Sequence, residues 1–335
     1  MVAGTVRTTT SLLGAAFRGH FKQSPFHNPN ASNLRPVVRS LLQSYANADP
    51  STKRQRAITP KLLRGMYTLS GAGSPESHDS HFAIISEIAI VGYFFAMRSC
   101  ECTSTPTPGR TKIISLQGVV FRNEDNKIIP HDDASLASSK YVSITFANQK
   151  NGDKDDKRTH SRSDDPILCP VVQLASIVKR IYRLLPNAKP TTTINTTLAG
   201  AKPVLLPATF LLEHLRSSCT LLGGFEAFGY RSADIGTRSI RSGAAMGLFL
   251  MNHSVTKIML LGRWSSDAFL NYIRPQVLEW TNQLSADMIH NNSYFDVTDP
   301  RRDPPDHPRT RTSRSSKVNN KSTLQTTIPA MHLLH

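Results

Sequence analysis

From Ala83 to Met97 the chain is almost wholly apolar, and the run stops at Arg98-Ser-Cys-Glu101. A stretch of this kind with no polar face reads as a helix buried on all sides, so the rest of the chain must supply the elements that cover it. It is too short to cross a bilayer, since Glu87 and Arg98 bound its uninterrupted part. An arginine shielded from water at the end of such a helix needs an anionic partner, and either Glu101 or a bound phosphate would supply one.

A second informative stretch lies near the other end. Thr237 or Ser239 is suited to cap a helix, and Arg238 and Arg241 stand three apart, so in a helix both guanidinium groups leave one face and could grip a phosphate bidentately. Ile240, Ala244, Leu248 and Met251 recur at helical spacing as the anchor of that helix. Ser254 as cap, then Val255, Ile258 and Met259, predict another helix ending at Gly262 in a left-handed conformation. A third short helix is predicted from Ser266 or Asp267, carrying Ala268, Phe269, Tyr272 and Ile273. Upstream, Tyr141–Phe146 alternates as a strand should, and Asn151-Gly152 is a hairpin turn signal with Lys150 directly before it and Lys154 beyond it.

Taken singly, each feature has an ordinary explanation: a boundary tyrosine, a solvated arginine face, an exposed turn lysine. Their order and spacing together carry more. Arg238-Ser-Ile-Arg241, then Leu261-Gly-Arg263-Trp264, then Tyr272 nine residues beyond Arg263, resembles the carboxyl-terminal signature of the tyrosine recombinases, the phage-integrase family. The wording of these segments is most similar to the eukaryotic members carried by Crypton-type mobile elements. Two positions depart from the family pattern, because Arg238 and Arg263 stand where it has His, or His or Trp; Trp264 offers the tryptophan with a one-residue offset.

The resemblance implies an α+β, mostly helical fold: a tyrosine recombinase catalytic domain with a small antiparallel β-sheet, and a truncated helical amino-terminal region. It implies Tyr272 as nucleophile on a DNA phosphodiester, with Arg98, Arg241 and Arg263 stabilising charge, Glu101 in support, and Lys150, or alternatively Lys154, protonating the leaving oxygen. No metal and no cofactor is implied. Arg238 can position and stabilise charge but cannot be a general base, because a guanidinium stays protonated. Three activities follow as alternatives: site-specific recombination or integration of a mobile element through a 3′-phosphotyrosine, DNA binding by the same fold without catalysis, and relaxation of DNA in the manner of a type IB topoisomerase. Arg241→Ala is expected to abolish cleavage with thermal stability nearly unchanged.

Charge agrees with a polyanionic partner, here double-stranded DNA. The chain's formal net charge is +16, of which residues 1–64, with ten Lys or Arg and one acid, hold +9, and residues 301–335, with seven and two, hold +5. The flanks therefore supply most of the electrostatic attraction to nucleic acid. Cys100, Cys102, Cys169 and Cys219 show no zinc spacing and suit a reduced intracellular protein, and no membrane partner is expected. A basic tail favours the nucleus, although the acid-free first 48 residues also have the composition of an organelle transit peptide.

The remaining organisation follows from punctuation and periodicity. Residues 1–56 are read as a basic, partly disordered remnant of a core-binding domain with its linker: 1–35 poorly structured, Pro36–Ala48 a helix, and Asp49–Arg56 a linker. Residues 57–298 are read as the catalytic domain, and 299–335 as a disordered basic tail. Within the middle region, Thr59 caps a helix with Pro60 at its first position, and strands are predicted at 113–121, 141–146 and 158–167. Helices are predicted from Cys169 to Tyr182 and Pro207 to Leu222, separated by a polar loop at 191–201. Val277, Trp280, Leu284 and Met288 mark an amphipathic helix at 277–289, which could dock on a second copy or pack on its own domain.

Overall fold

The computed structural model describes residues 3–28, 33–49, 55–74, 76–77, 79–106, 109, 111–148, 154–163, 165–265 and 270. By contact the chain divides into two units, Met1–Thr281 and Asn282–His335, and every described residue belongs to the first. In chain order the elements are α1 (Ala3–Phe21), α2 (Pro36–Ala48), α3 (Pro60–Leu69), α4 (His81–Phe94), α5 (Ser99–Cys102), β1 (Val119–Arg122), β2 (Ile128–Ile129), β3 (Tyr141–Phe146), β4 (Asp156–Ser161), α6 (Pro170–Leu184), β5 (Thr196–Ala199), β6 (Lys202–Leu205), α7 (Ala208–Leu221), α8 (Gly224–Phe228), α9 (Ser239–Leu250) and α10 (Val255–Gly262). The fold is mostly helical with a small antiparallel β-sheet, as expected.

The apolar run does become the central helix. Every residue of α4 from Ala83 to Gly92 is buried, and α3, α6, α7 and α9 pack around it. The side chains of Ile84, Ile85, Ile88, Ile90 and Val91 account for much of the stabilisation, at roughly 1.5–3 kcal/mol for each apolar side chain removed from water. Two polar groups inside this helix are matched. Glu87 forms an ion pair with Arg180 of α6 and accepts a 2.6 Å hydrogen bond from Ser176, and Ser86 lies 3.1 Å from His214. α9 approaches α4 closely through its glycines: a Cβ at Gly243 would collide with the Ile58 carbonyl, and one at Gly247 with the Tyr93 hydroxyl.

The four-stranded antiparallel sheet has the order β2-β1-β3-β4, with Phe121 opposite Val142 and Phe146 opposite Asp156. β3 and β4 lean on α6, which begins at Pro170 and repeats apolar residues at helical spacing. At α3, Thr59 caps as expected, accepting from the Leu62 amide at 3.2 Å, with Pro60 at the first helical position.

Several local expectations are corrected. Residues 3–21 are helical where 1–35 was read as poorly structured; Pro25 lies beyond this helix and leaves it intact, and α1 packs on α2 with the Ala3 amide on the Asp49 carboxylate at 2.8 Å. The first strand starts at Val119, because Leu116–Gly118 forms a 3₁₀ turn, and the sheet gains the edge strand β2. The last strand lies at 156–161, its register set by pairing with β3. The polar loop at 191–201 contains β5, which pairs with β6 through a turn at Gly200 with φ +61°. Of the described linker residues, Gln55 and Arg56 are fastened to the segment before α9: the Arg56 amide donates to the Asp234 carbonyl at 2.9 Å, and the Arg238 amide donates to the Gln55 side chain at 3.0 Å. Lys150, Asn151-Gly152, the helix expected from Ser266 through Tyr272 apart from Leu270, the helix at 277–289 and the tail at 299–335 lie outside the described residues.

Candidate functional site

Where α4 ends, its backbone must turn sharply to present Arg98. Phe95 is the C-cap, Ala96 takes a left-handed φ of +45°, and the Met97 amide returns to the Gly92 carbonyl at 2.8 Å. A left-handed alanine costs about 1 kcal/mol or more and persists only where its surroundings hold it. Arg98 therefore lies past the helix end, as the N-cap of α5. Its amide donates to Glu101 Oε2 and its Nη1 to Glu101 Oε1, both at 2.8 Å. Glu101 is fully buried, whereas the Arg98 side chain keeps 22% of its surface exposed.

Arg263 reaches the same carboxylate from the other end of the sequence. Its Nη2 lies 2.7 Å from Glu101 Oε2, its Nη1 donates to the Phe95 carbonyl at 2.9 Å, and its Nη2 approaches the Ala96 carbonyl at 3.4 Å. The guanidinium lies 3.7 Å from the centre of the Phe146 ring. Burial lowers the Arg263 pKa to about 10, against the pull of Glu101, so it remains a cation at neutral pH. Arg263 itself is the left-handed residue that ends α10, at φ 57° and ψ 46°, where Gly262 was expected to be. The glycine serves a different purpose: a Cβ at Gly262 would fall inside the Trp264 ring.

Arg241, buried in the first turn of α9, completes the group. Its Nη2 donates to the Gly262 carbonyl, and its guanidinium lies 4.4 Å from the Trp264 ring centre. The turn at 262–264 thus touches Arg241 on one side and, through Arg263, the Glu101–Arg98 pair on the other. Two arginines share one carboxylate and a third stands on the same turn, a positive surplus that suits a phosphodiester.

Arg238 does not join them. It is the exposed N-cap of α9, and neither Thr237 nor Ser239 caps the helix by side chain; the Ser239 hydroxyl accepts instead from the Gly236 amide at 2.9 Å. Arg238 and Arg241 therefore share no face, because one stands at the cap in water and the other inside the first turn. The expected anchor of α9 holds at Ile240 and Ala244 but not at Met251, which is 74% exposed.

The two strands on either side of the expected hairpin reach this site. Phe146, under Arg263, is the last residue of β3, and Arg158 of β4 donates its Nε to the Leu260 carbonyl at 2.9 Å while pairing with Asp156. The loop between β3 and β4 leaves from beside α10; Lys154 on it is exposed, while Lys150 and Tyr272 lie outside the described residues. Phe146 and Arg158 escaped sequence reasoning. Phe146 carried a signal, as the final inward position of an alternating strand, but β4 is polar throughout and Arg158 carried none. Among the described residues no group of three or more His, Cys, Asp or Glu could hold a metal, and no helix is long and apolar enough to cross a membrane. All four cysteines are free.

No protein-family model matches the sequence, and no curated protein matches it. Solved structures resemble it at low identity. The Tn1549 transposon integrase in complex with transposon right end DNA shares 12% identity, covering 84% of this chain and 80% of that one with a TM-score of 0.45. The XerH site-specific recombinase bound to a palindromic difH substrate, in a post-cleavage complex, shares 14% over 83% and 64% with a TM-score of 0.47. The pre-cleavage XerH complex shares 10% over 85% and 71%, at 0.43.

Proposed function

We propose that this chain binds double-stranded DNA and breaks and rejoins it through Tyr272, as a tyrosine recombinase moving or resolving a DNA element. The observation that carries the reading is that Arg98, Arg241 and Arg263, far apart in sequence, are drawn to one turn of chain at the end of α10, nine residues before Tyr272. Three arginines gathered at one turn, two of them on a shared carboxylate, support the sequence resemblance and are not what an ordinary solvated arginine face would produce.

The chemistry follows from those charges. The Tyr272 oxygen attacks phosphorus as its proton passes to solvent water, and the bond from phosphorus to the 5′ oxygen breaks, leaving a 3′-phosphotyrosine and, once that oxygen is protonated, a free 5′-hydroxyl. A phenol with a reference pKa of about 10 is a poor nucleophile until neighbouring cations favour its phenolate. Arg98 and Arg241 supply that field and stabilise the charge growing on the non-bridging oxygens. Lys150, or Lys154 across the hairpin, protonates the departing 5′ oxygen. Reversal with a second strand's 5′-hydroxyl rejoins DNA with no outside energy source.

A second reading, DNA binding without cleavage, is favoured by one observation: positions 238 and 263 carry arginine, so neither offers a proton acceptor. A nicked suicide duplex separates the two. Wild type should be trapped as a covalent adduct, while Tyr272→Phe binds equally and traps nothing; binding without adduct by the wild type would establish the second reading. Sequence-independent relaxation of supercoiled plasmid by a monomer would favour a topoisomerase instead.

A further inference from the structure

We infer that Arg263 is a positioning residue and not a phosphate ligand: it holds Arg98 in place through their shared carboxylate, Glu101, and fixes the turn whose Gly262 carbonyl and Trp264 ring hold Arg241. This rests on the reading that Tyr272 cleaves DNA. At this position the recombinase signature has His or Trp, so a guanidinium here invites the reading that it grips the phosphate directly. Its surroundings argue otherwise. The side chain is 1% exposed, and its two terminal nitrogens are committed to the Phe95 and Ala96 carbonyls and to Glu101 Oε2. One face is covered by the Phe146 ring at 3.7 Å. A cation enclosed in this way balances Glu101 and the uncapped carbonyls at the end of α4; its one remaining donor, Nε, has no hydrogen-bond partner but is itself buried and does not face outward.

The consequence for Arg98 is specific. Glu101 divides its carboxylate, Oε1 to Arg98 Nη1 and Oε2 to Arg263 Nη2. With Arg263 present, Arg98 spends one nitrogen on the carboxylate and keeps an exposed side for a substrate. With Arg263 removed, a buried carboxylate would be left with Arg98 as its one cation in this cluster, and would draw that guanidinium inward, away from the phosphate. The backbone is part of the same device. Arg263 occupies a left-handed conformation that a non-glycine residue adopts at a cost, and the three side-chain contacts over-determine it. That conformation sets the direction of the Gly262 carbonyl, which receives Arg241, and of Trp264, which stacks on it. One buried arginine thereby places two others.

The test compares nicked suicide duplexes carrying either a normal phosphate or a methylphosphonate at the scissile position, where a methyl group replaces one charged oxygen. An arginine that neutralises the phosphate becomes less necessary on the neutral substrate. Arg98→Ala and Arg241→Ala should lower adduct formation on phosphate by on the order of 100-fold or more and regain at least about tenfold on methylphosphonate. Arg263→Met should fall comparably on phosphate and, because it displaces Arg98, regain on methylphosphonate as Arg98→Ala does; what marks a positioning residue is that it should also regain about tenfold on phosphate when Glu101→Gln is added, because the neutral amide releases Arg98. The double variant also guards against misfolding, since it removes both buried charges together. No recovery from Glu101→Gln would overturn the inference, since neutralising Glu101 cannot replace a phosphate ligand lost at position 263. A second measurement stands apart from catalysis: the Arg98 side-chain NMR signal of the free protein should move in Arg263→Met, and an unmoved signal overturns the positioning role. If the wild type forms no adduct on either duplex, the cleavage reading fails by itself, and the NMR shift still decides whether Arg263 governs Arg98.

Discussion

The guanidinium of Arg241 lies 4.4 Å from the centre of the Trp264 ring and donates to the carbonyl of Gly262, the residue on which that same ring packs. The arginine that the resemblance marks as catalytic is thus also an internal support for the turn leading toward Tyr272. Stability and chemistry are joined at this residue.

Arg241→Ala should accordingly abolish adduct formation and also lower stability by about 1–3 kcal/mol, the combined worth of a charged hydrogen bond and a partly desolvated cation–π contact. The expectation from sequence, that stability would be nearly unchanged, is revised for this reason. Urea denaturation beside the suicide-substrate assay checks both parts.

Gly262→Ala should destabilise by about 1–3 kcal/mol, because the added methyl must expel the Trp264 ring. Arg241 then loses its stacking partner, so adduct formation should fall further than the loss of folded protein explains. Tryptophan fluorescence of the free protein reports the displacement directly.

Glu87→Gln should cost about 3–5 kcal/mol, since it leaves Arg180 buried without its counter-charge. Replacing Glu87 and Arg180 together by apolar residues of similar size should cost much less. Denaturation midpoints of the single and double variants distinguish the two; equal losses would contradict the buried-pair account.

Acid should weaken the fold through two histidines. Burial lowers His160 and His214 to about 4 from an ordinary 6.5. The unfolded chain therefore takes up protons first as pH falls, so the stability these groups contribute is complete above about 6.5 and is lost progressively down to about 4. The melting temperature should decline across that window, and His160→Gln with His214→Gln should flatten the decline.

Much of the architecture was legible because it follows from local pattern. An apolar run with no polar face could only be a central helix, Thr59-Pro60 could only open a helix, and Tyr141–Phe146 alternated as a strand does. The miscalled segments failed for physical reasons of the same scale. Residues 1–35 looked unstructured, yet Pro25 lies beyond the helix at 3–21 and does not interrupt it. The polar strands β4 and β5 have no periodic signal, since their partners' backbones fix them. The third miss was at the end of α10, where glycine was expected to supply the left-handed residue; here a ring packs on the glycine and the strained position passes to Arg263.

Sequence by itself determined the long helices from α2 onward, the presence of a small sheet, and the identities and spacing of Arg98, Glu101, Arg241, Arg263 and Tyr272. Tertiary structure decided which cations meet. Arg238 and Arg241 looked equivalent at a spacing of three, yet one caps its helix in water and the other is enclosed beside Trp264. Arg98 and Arg263 looked alike as phosphate ligands, yet only Arg98 keeps an exposed side. Charge and periodicity are properties of a residue and its near neighbours, whereas burial and the sharing of a carboxylate depend on chain segments that sequence distance does not bring together.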